Sequence, residues 1–219
     1  MLKYRIGVLF LFIISLCAIG FVKAIDVPLL GKVIYIDPGH GGLDPGAIYK
    51  ELKESDINLA ISKKLQLELE KRGAIVYLTR EGNYDLAVPN TINRKRSDLS
   101  RRGNLINKSE CDLYLSIHLN AEVSSTWRGA QVFYDDVNEN NLILAKIIQE
   151  EFRKNLYSRR KIKEINDMYL SKRVKLPGVL LEIGYISNPN DRYLLKQDSY
   201  QNKVSKTIVN ALLKYFGEV

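Results

Sequence analysis

Two histidines, His40 and His118, are the only ones in the 219-residue chain, and both stand at the end of an apolar run. Ile34-Tyr35-Ile36 precedes His40, and Leu113-Tyr114-Leu115-Ser116-Ile117 precedes His118. In open α/β sheets, chemistry gathers just outside the carboxyl ends of strands. Neutral imidazole is a common zinc ligand, and a catalytic zinc takes three protein ligands and keeps one open position. The third ligand should then be a carboxylate, and Glu51 and Glu54 are the nearest candidates to His40. Taken singly, each histidine also fits a satisfied structural residue; the pair at matching strand ends favours a metal.

Glu182 is out of place in another way. It interrupts Val179-Leu180-Leu181 and Ile183-Gly184, an otherwise apolar strand. Burying a carboxylate is costly unless it is paired or neutral. Burial raises its pKa toward neutrality, which a general acid or base requires. The structural alternative is an ion pair with a buried arginine.

Positioning these groups requires a sheet with crossovers. Strands are expected over 33–37, 74–79, 113–117, 130–134 and 179–183. Helical spacing joins Ile57, Ala60, Ile61, Leu65 and Leu69, with Ser55 or Asp56 as cap and Gly73 as stop. A second helix is expected over 97–107 with Leu99, Leu105 and Ile106 inward. A third carries Leu142, Ala145, Ile148, Phe152 and Leu156, and a last one Val204, Ile208, Leu212 and Phe216. Such alternation predicts an α/β fold, three layers α/β/α around a mostly parallel sheet of about five or six strands.

Two polar loops flank this scheme. Residues 81–96 end in Arg94-Lys95-Arg96, and Arg101-Arg102 come soon after; this reads as a solvated helix face or as a rim that contacts anions. Residues 122–128 hold the single tryptophan, Trp127, suited to stacking on a sugar face or to packing. Between Asn138 and Glu182 one helix and a short link are expected, with no long segment over the site and no built-in autoinhibitory helix.

At the amino end, Lys3 and Arg5 precede 17 uncharged residues, Ile6 to Val22. A basic start and an apolar run make residues 1–24 a secretory signal or an uncleaved membrane anchor, with export of the remaining chain. Residues 25–32 read as a short linker and 33–219 as the working domain. The formal charge is +8; three of the 33 basic residues lie in the leader, which leaves 30 against 25 acids, or +5. That balance suits a polyanionic neighbour such as an anionic cell wall, and equally a generic basic surface. No nucleic-acid motif accompanies it, so no nucleic-acid partner is expected. Cys17 and Cys111 build neither a disulfide framework nor a metal cluster and read as small hydrophobes.

Four motifs occur in order: Asp37-Pro38-Gly39-His40-Gly41-Gly42, Glu54-Ser55-Asp56-Ile57-Asn58-Leu59, Ser116-Ile117-His118-Leu119-Asn120-Ala121 and Leu181-Glu182-Ile183-Gly184-Tyr185-Ile186-Ser187-Asn188. Together they resemble the zinc-dependent N-acetylmuramoyl-L-alanine amidases, the amidase 3 family, over residues 32–216. Within it the chain is most similar to the short, membrane-directed members of endospore formers that act on spore cortex. Ser55 stands where the family often has lysine, which leaves the ligand positions intact. The resemblance implies zinc on His40, Glu54 and His118, and Glu182 as general base and then acid. It implies hydrolysis of the amide between the lactyl group of muramic acid and L-alanine. Asn120, Trp127 and Arg94 are candidate substrate contacts, peptidoglycan the partner, and an activating protein a further one. Two other classes compete: a non-catalytic wall-binding module and a wall deacetylase. The paired histidines with Glu182 oppose the first. The second typically shows an Asp-Asp pair with a His-x-x-x-His spacing, and neither fits the two histidines here.

Overall fold

The computed structural model describes residues 27–166 and 168–218. The leader expected over 1–24 lies outside the described residues. Among those described, no helix is long and apolar enough to cross a membrane.

The strands are β1 (Val33–Pro38), β2 (Ile48–Tyr49), β3 (Leu52–Lys53), β4 (Ile75–Leu78), β5 (Leu113–Asn120), β6 (Gln131–Tyr134), β7 (Lys163–Glu164) and β8 (Gly178–Tyr185). The helices are α1 (Glu54–Glu70), α2 (Arg94–Lys108), α3 (Asn140–Leu156), α4 (Pro189–Leu195) and α5 (Asp198–Glu218). Six strands form one sheet in the order β4-β1-β5-β8-β6-β7, while β2 and β3 make a separate hairpin. The four strands from β4 to β8 run parallel, and β6 pairs antiparallel to β8. This is the expected three-layer α/β/α fold.

Alternating side chains of β1 and β5 feed two cores, as a period of two dictates. Ile34, Ile36, Leu113, Leu115 and Ile117 join the larger core, to which α1, α3 and α5 also contribute. Tyr35 and Tyr114 face the other way, onto Ile106 of α2 and onto Leu170 and Val174. Helix α1 buries Ile57, Ile61, Leu65 and Leu69 on one stripe, as its spacing predicts.

Several expectations need correction. Helix α1 begins at Glu54, not after a Ser55 or Asp56 cap: Lys53 holds the cap position without a side-chain bond. Loop carbonyls do the capping, since Ala47 O accepts from Glu54 N–H and Pro45 O from Ser55 N–H. Helix α2 begins at Arg94 rather than at 97, capped by Asn93, which accepts from Arg96 N–H. Leu105 points outward and is 42% exposed, because the inward stripe of α2 is Asp98, Arg102, Gly103 and Ile106. Arg102 therefore does not belong to a solvated face: it is 1% exposed. The connection from α3 to β8 is longer than the short link expected. It contributes β7 and brings Met168, Tyr169 and Leu170 to the cavity beside His40 and His118.

Candidate metal centre

Strands β1, β5 and β8 end side by side, and the site is built across their ends. His40 follows β1 and adopts φ 62°, a left-handed conformation that a non-glycine residue holds only when its surroundings enforce it. Two buried arginines supply that enforcement. Arg102 donates to the carbonyls of Pro38 and His40, and Arg80 to those of Pro38 and Gly39. Arg102 is in turn anchored by Asp37 and Asp98, each at 2.9 Å. Asp37 also accepts from Thr79 and Ser116, so one buried carboxylate ties β1, β5 and α2 together. Burial opposes its ionisation, but Arg102 and the Thr79 hydroxyl hold the Asp37 carboxyl below the usual range.

His118 is inside β5 rather than beyond it, because that strand runs on to Asn120. Its imidazole lies against Gly39, where a methyl group would come within 2.3 Å of the ring. Glu54 enters from the first turn of α1. Its Oε1 lies 3.0 Å from His118 Nδ1 and 3.2 Å from His40 Nε2, and it accepts from Leu119 N–H at 3.0 Å. Its Oε2 accepts from Ala47 N–H, on a loop that Gly46 (φ +67°) lets pass closely; a methyl there would meet Oε2 at 2.6 Å. Burial again opposes ionisation, yet the two imidazoles hold the Glu54 carboxyl far below its ordinary 4.5. The imidazoles meet edge to face, centroids 4.9 Å apart.

One ligand atom from each of His40, Glu54 and His118 lies within 4.8 Å of the others, so the three could hold a metal ion. The donor set fits zinc: two imidazole nitrogens and an ionised carboxylate. The remaining nitrogen of His40, Nδ1, sits 2.8 Å from Asp44 Oδ2, the outer carboxylate that fixes tautomer and ring orientation in such centres. Asp44 carries no signal of its own in the sequence; a carboxylate four residues past a histidine becomes a partner only because the loop turns at His40. Glu51, the other carboxylate near His40 in the chain, is exposed between β2 and β3, away from this cluster.

Glu182 pairs in register with His118 across β5 and β8, which puts both side chains on the same face. The residue keeps some accessible surface, but its Oε2 is enclosed and has no hydrogen-bond partner. It makes no ion pair among the described residues, so the buried-arginine alternative gains nothing. Burial, then the nearby Glu54 charge, push its carboxyl well above 4.5. Asn120 ends β5, two positions past His118. Trp127 is half exposed on the β5–β6 loop with the Arg160 guanidinium 4.8 Å from its ring centroid. Arg94 is held by three hydrogen bonds to Asp85.

A partly buried metal-type triad beside a carboxyl whose pKa burial raises suits hydrolysis of an amide or ester. The sequence model of N-acetylmuramoyl-L-alanine amidases matches residues 34–214. The chain belongs to the N-acetylmuramoyl-L-alanine amidase family. Its reaction is therefore hydrolysis of the amide joining N-acetylmuramoyl to L-alanine. A germination-specific N-acetylmuramoyl-L-alanine amidase of Bacillus subtilis is 46% identical over 200 residues, covering 90% of this chain and 84% of that one. The CwlD amidase of Clostridioides difficile, solved in complex with the GerS lipoprotein, superposes with a TM-score of 0.82 at 37% identity. The match covers 86% of this chain and all of that one. A Clostridium difficile 630 N-acetylmuramoyl-L-alanine amidase superposes at TM-score 0.76 and 28% identity, over 85% and 97%.

Proposed function

We propose that this amidase holds zinc on His40, Glu54 and His118 and uses Glu182 as its general base and acid on spore-cortex peptidoglycan. The observation that carries the reading is the pairing of that triad with a register-matched carboxylate whose Oε2 is buried and unpartnered. When bound, the metal supplies a Lewis acid to the lactyl carbonyl and acidifies a water. Glu182 accepts a proton from the attacking water as its oxygen bonds to the carbonyl carbon. It then delivers that proton to the L-alanine nitrogen as the C–N bond breaks, leaving a lactyl carboxylate and a free amine. The raised pKa suits both halves of this transfer. Asp44 keeps Nε2 of His40 facing the metal position, and Arg80 and Arg102 keep the loop beneath it rigid. Asn120 at the end of β5, Trp127 on the β5–β6 loop and Arg94 at the start of α2 are assigned to the substrate.

The assignment to cortex draws on the germination-specific relative, and the 46% identity supports it. Residues 33–219 form the catalytic domain, 25–32 a linker, and 1–24 a signal or anchor that delivers it outside the cytoplasmic membrane. An activating protein partner is part of the same reading, supported by the lipoprotein complex of the CwlD neighbour.

Product analysis on purified cortex peptidoglycan, with metal content measured on the same sample, is the test. New L-alanine amino termini and about one zinc per chain are expected. Glu182→Gln should lose about a hundredfold to ten-thousandfold in turnover with zinc retained. Near wild-type turnover in a stable, zinc-loaded Glu182→Gln enzyme would overturn the mechanism.

A further inference from the structure

The first turn of α2 carries Arg94, Lys95 and Arg96 and no acidic residue. Helix stability does not account for this, because the positive end of the helix dipole disfavours cations there. Two of the three charges are engaged. Arg94 grips Asp85 through Nε and Nη2 at 2.9–3.1 Å. Arg96 lies over the Tyr169 ring, 5.8 Å from its centroid. Lys95 is exposed and makes no hydrogen bond or ion pair among the described residues; it acts only at longer range, helping to lower the Asp44 carboxyl.

Lys95 also stands where two cavities adjoin. One, of about 290 Å³, is lined by His40, His118, Lys95 and the Met168–Leu170 wall. The second, of about 230 Å³, is lined by Leu43, Asp44, Asp85, Arg94, Lys95 and Asp98. Every carboxylate along this trough already has a basic partner. Asp37 and Asp98 bind Arg102, Asp44 binds His40, and Asp85 binds Arg94. Among the described residues of the trough, one cation is left over beside the reacting centre.

We infer that Lys95 is a specificity-determining residue: its ammonium receives a free carboxylate on the stem-peptide residue that comes after the departing L-alanine. This rests on the amidase reading above. An extended peptide advances about 3.3–3.6 Å per residue, so that carboxylate lies one or two steps from the reacting amide. A four-carbon stem with three rotatable donors is suited to meet it. The glycan side of the scissile bond carries no comparable charge nearby, so the trough takes the peptide.

The test uses the zinc-loaded enzyme on glycan strands whose stem peptides carry that carboxylate either free or converted to the amide. Wild type should prefer the free carboxylate by about fivefold in kcat/KM, mostly through KM, the upper range for an ion pair with an exposed partner. Lys95→Gln should lose the preference and keep its rate on the amidated strands, its zinc content and its Tm; Lys95→Glu should invert the preference. A Lys95→Gln enzyme that still prefers the free carboxylate, or a wild type with no preference, overturns the assignment while leaving amide cleavage standing. Failure of wild type to release L-alanine amino termini from either substrate overturns both.

Discussion

Gly39→Ala tests how closely the metal centre is packed. The added methyl group would stand 2.3 Å from His118 Cε1, 2.4 Å from Nε2 and 2.7 Å from Nδ1, where ordinary contact begins at 3.4 Å. The ring must retreat by the difference, about 1.1 Å. It cannot do so with its backbone, because β5 is held between β1 and β8 in fixed register. Rotation of the side chain is what remains, and that breaks the 3.0 Å contact between Nδ1 and Glu54. Metal–ligand distances tolerate about 0.2 Å, so the displacement is several times too large. Loss of an outer partner alone costs about 10–100-fold in metal affinity, and moving a ligand should reach at least the upper figure. A hundredfold weaker site is about 2.8 kcal/mol. Overpacking adds about 1–3 kcal/mol of lost stability in the metal-free protein. Zinc titration against a competing chelator, melting with and without zinc, and L-alanine release read these effects separately. The zinc-dependent rise in Tm should shrink, and activity should return in part at high zinc. Gly217→Ala, with open space around its new methyl group, is the control and should leave zinc affinity and L-alanine release unchanged. A Gly39→Ala enzyme with wild-type zinc affinity would refute the close-packed site.

Arg102→Met should cost about 3–5 kcal/mol, since it strands the buried Asp37 and Asp98 carboxylates and frees the loop carbonyls; a denaturation midpoint like wild type would contradict that role. Asp37 has a folded pKa below its ordinary 3.8, so its stabilisation is present above that value and fades as pH falls through the folded pKa. Asp37→Asn, less stable at neutral pH, should therefore show a flatter stability profile in the acid range, read by urea titration across that range. Glu182 has the opposite sign: its folded pKa is raised, so its contribution is full below 4.5 and is lost as pH rises through the folded value. Metal-free Glu182→Gln should accordingly gain on wild type as pH increases, and parallel Tm profiles would contradict the buried, unpartnered carboxylate.

What the sequence made legible is the set of groups that break a local rule. A histidine at the end of an apolar strand run, and a glutamate within one, conflict with their surroundings in a single element, and such conflicts can be seen without the partner elements. The parallel sheet and the helical stripes arise from periodicity in the same way. Arg102 reads wrongly in the sequence because it conflicts with nothing locally: Arg101-Arg102 on a helix is an ordinary solvated pair until Asp37 arrives from β1, 65 residues away. Asp98, four residues before Arg102, is the available hint, since that spacing pairs charges on one helix face. Asp44 and the Met168–Leu170 wall are hidden for the same reason, as both depend on where a loop without periodicity turns. Residues 94–96 show the limit most sharply. Three adjacent cations carry one signal in the sequence, and only the placement of Asp85 and Tyr169 divides them into two engaged groups and one that faces the substrate trough. Reactive groups stand out by misfit to their own element, whereas the residues that hold and select are known by their partners. Substitutions at Arg102, Asp44 and Lys95 therefore test the folded arrangement itself, and those at His40 and His118 test chemistry that the linear chain already implies.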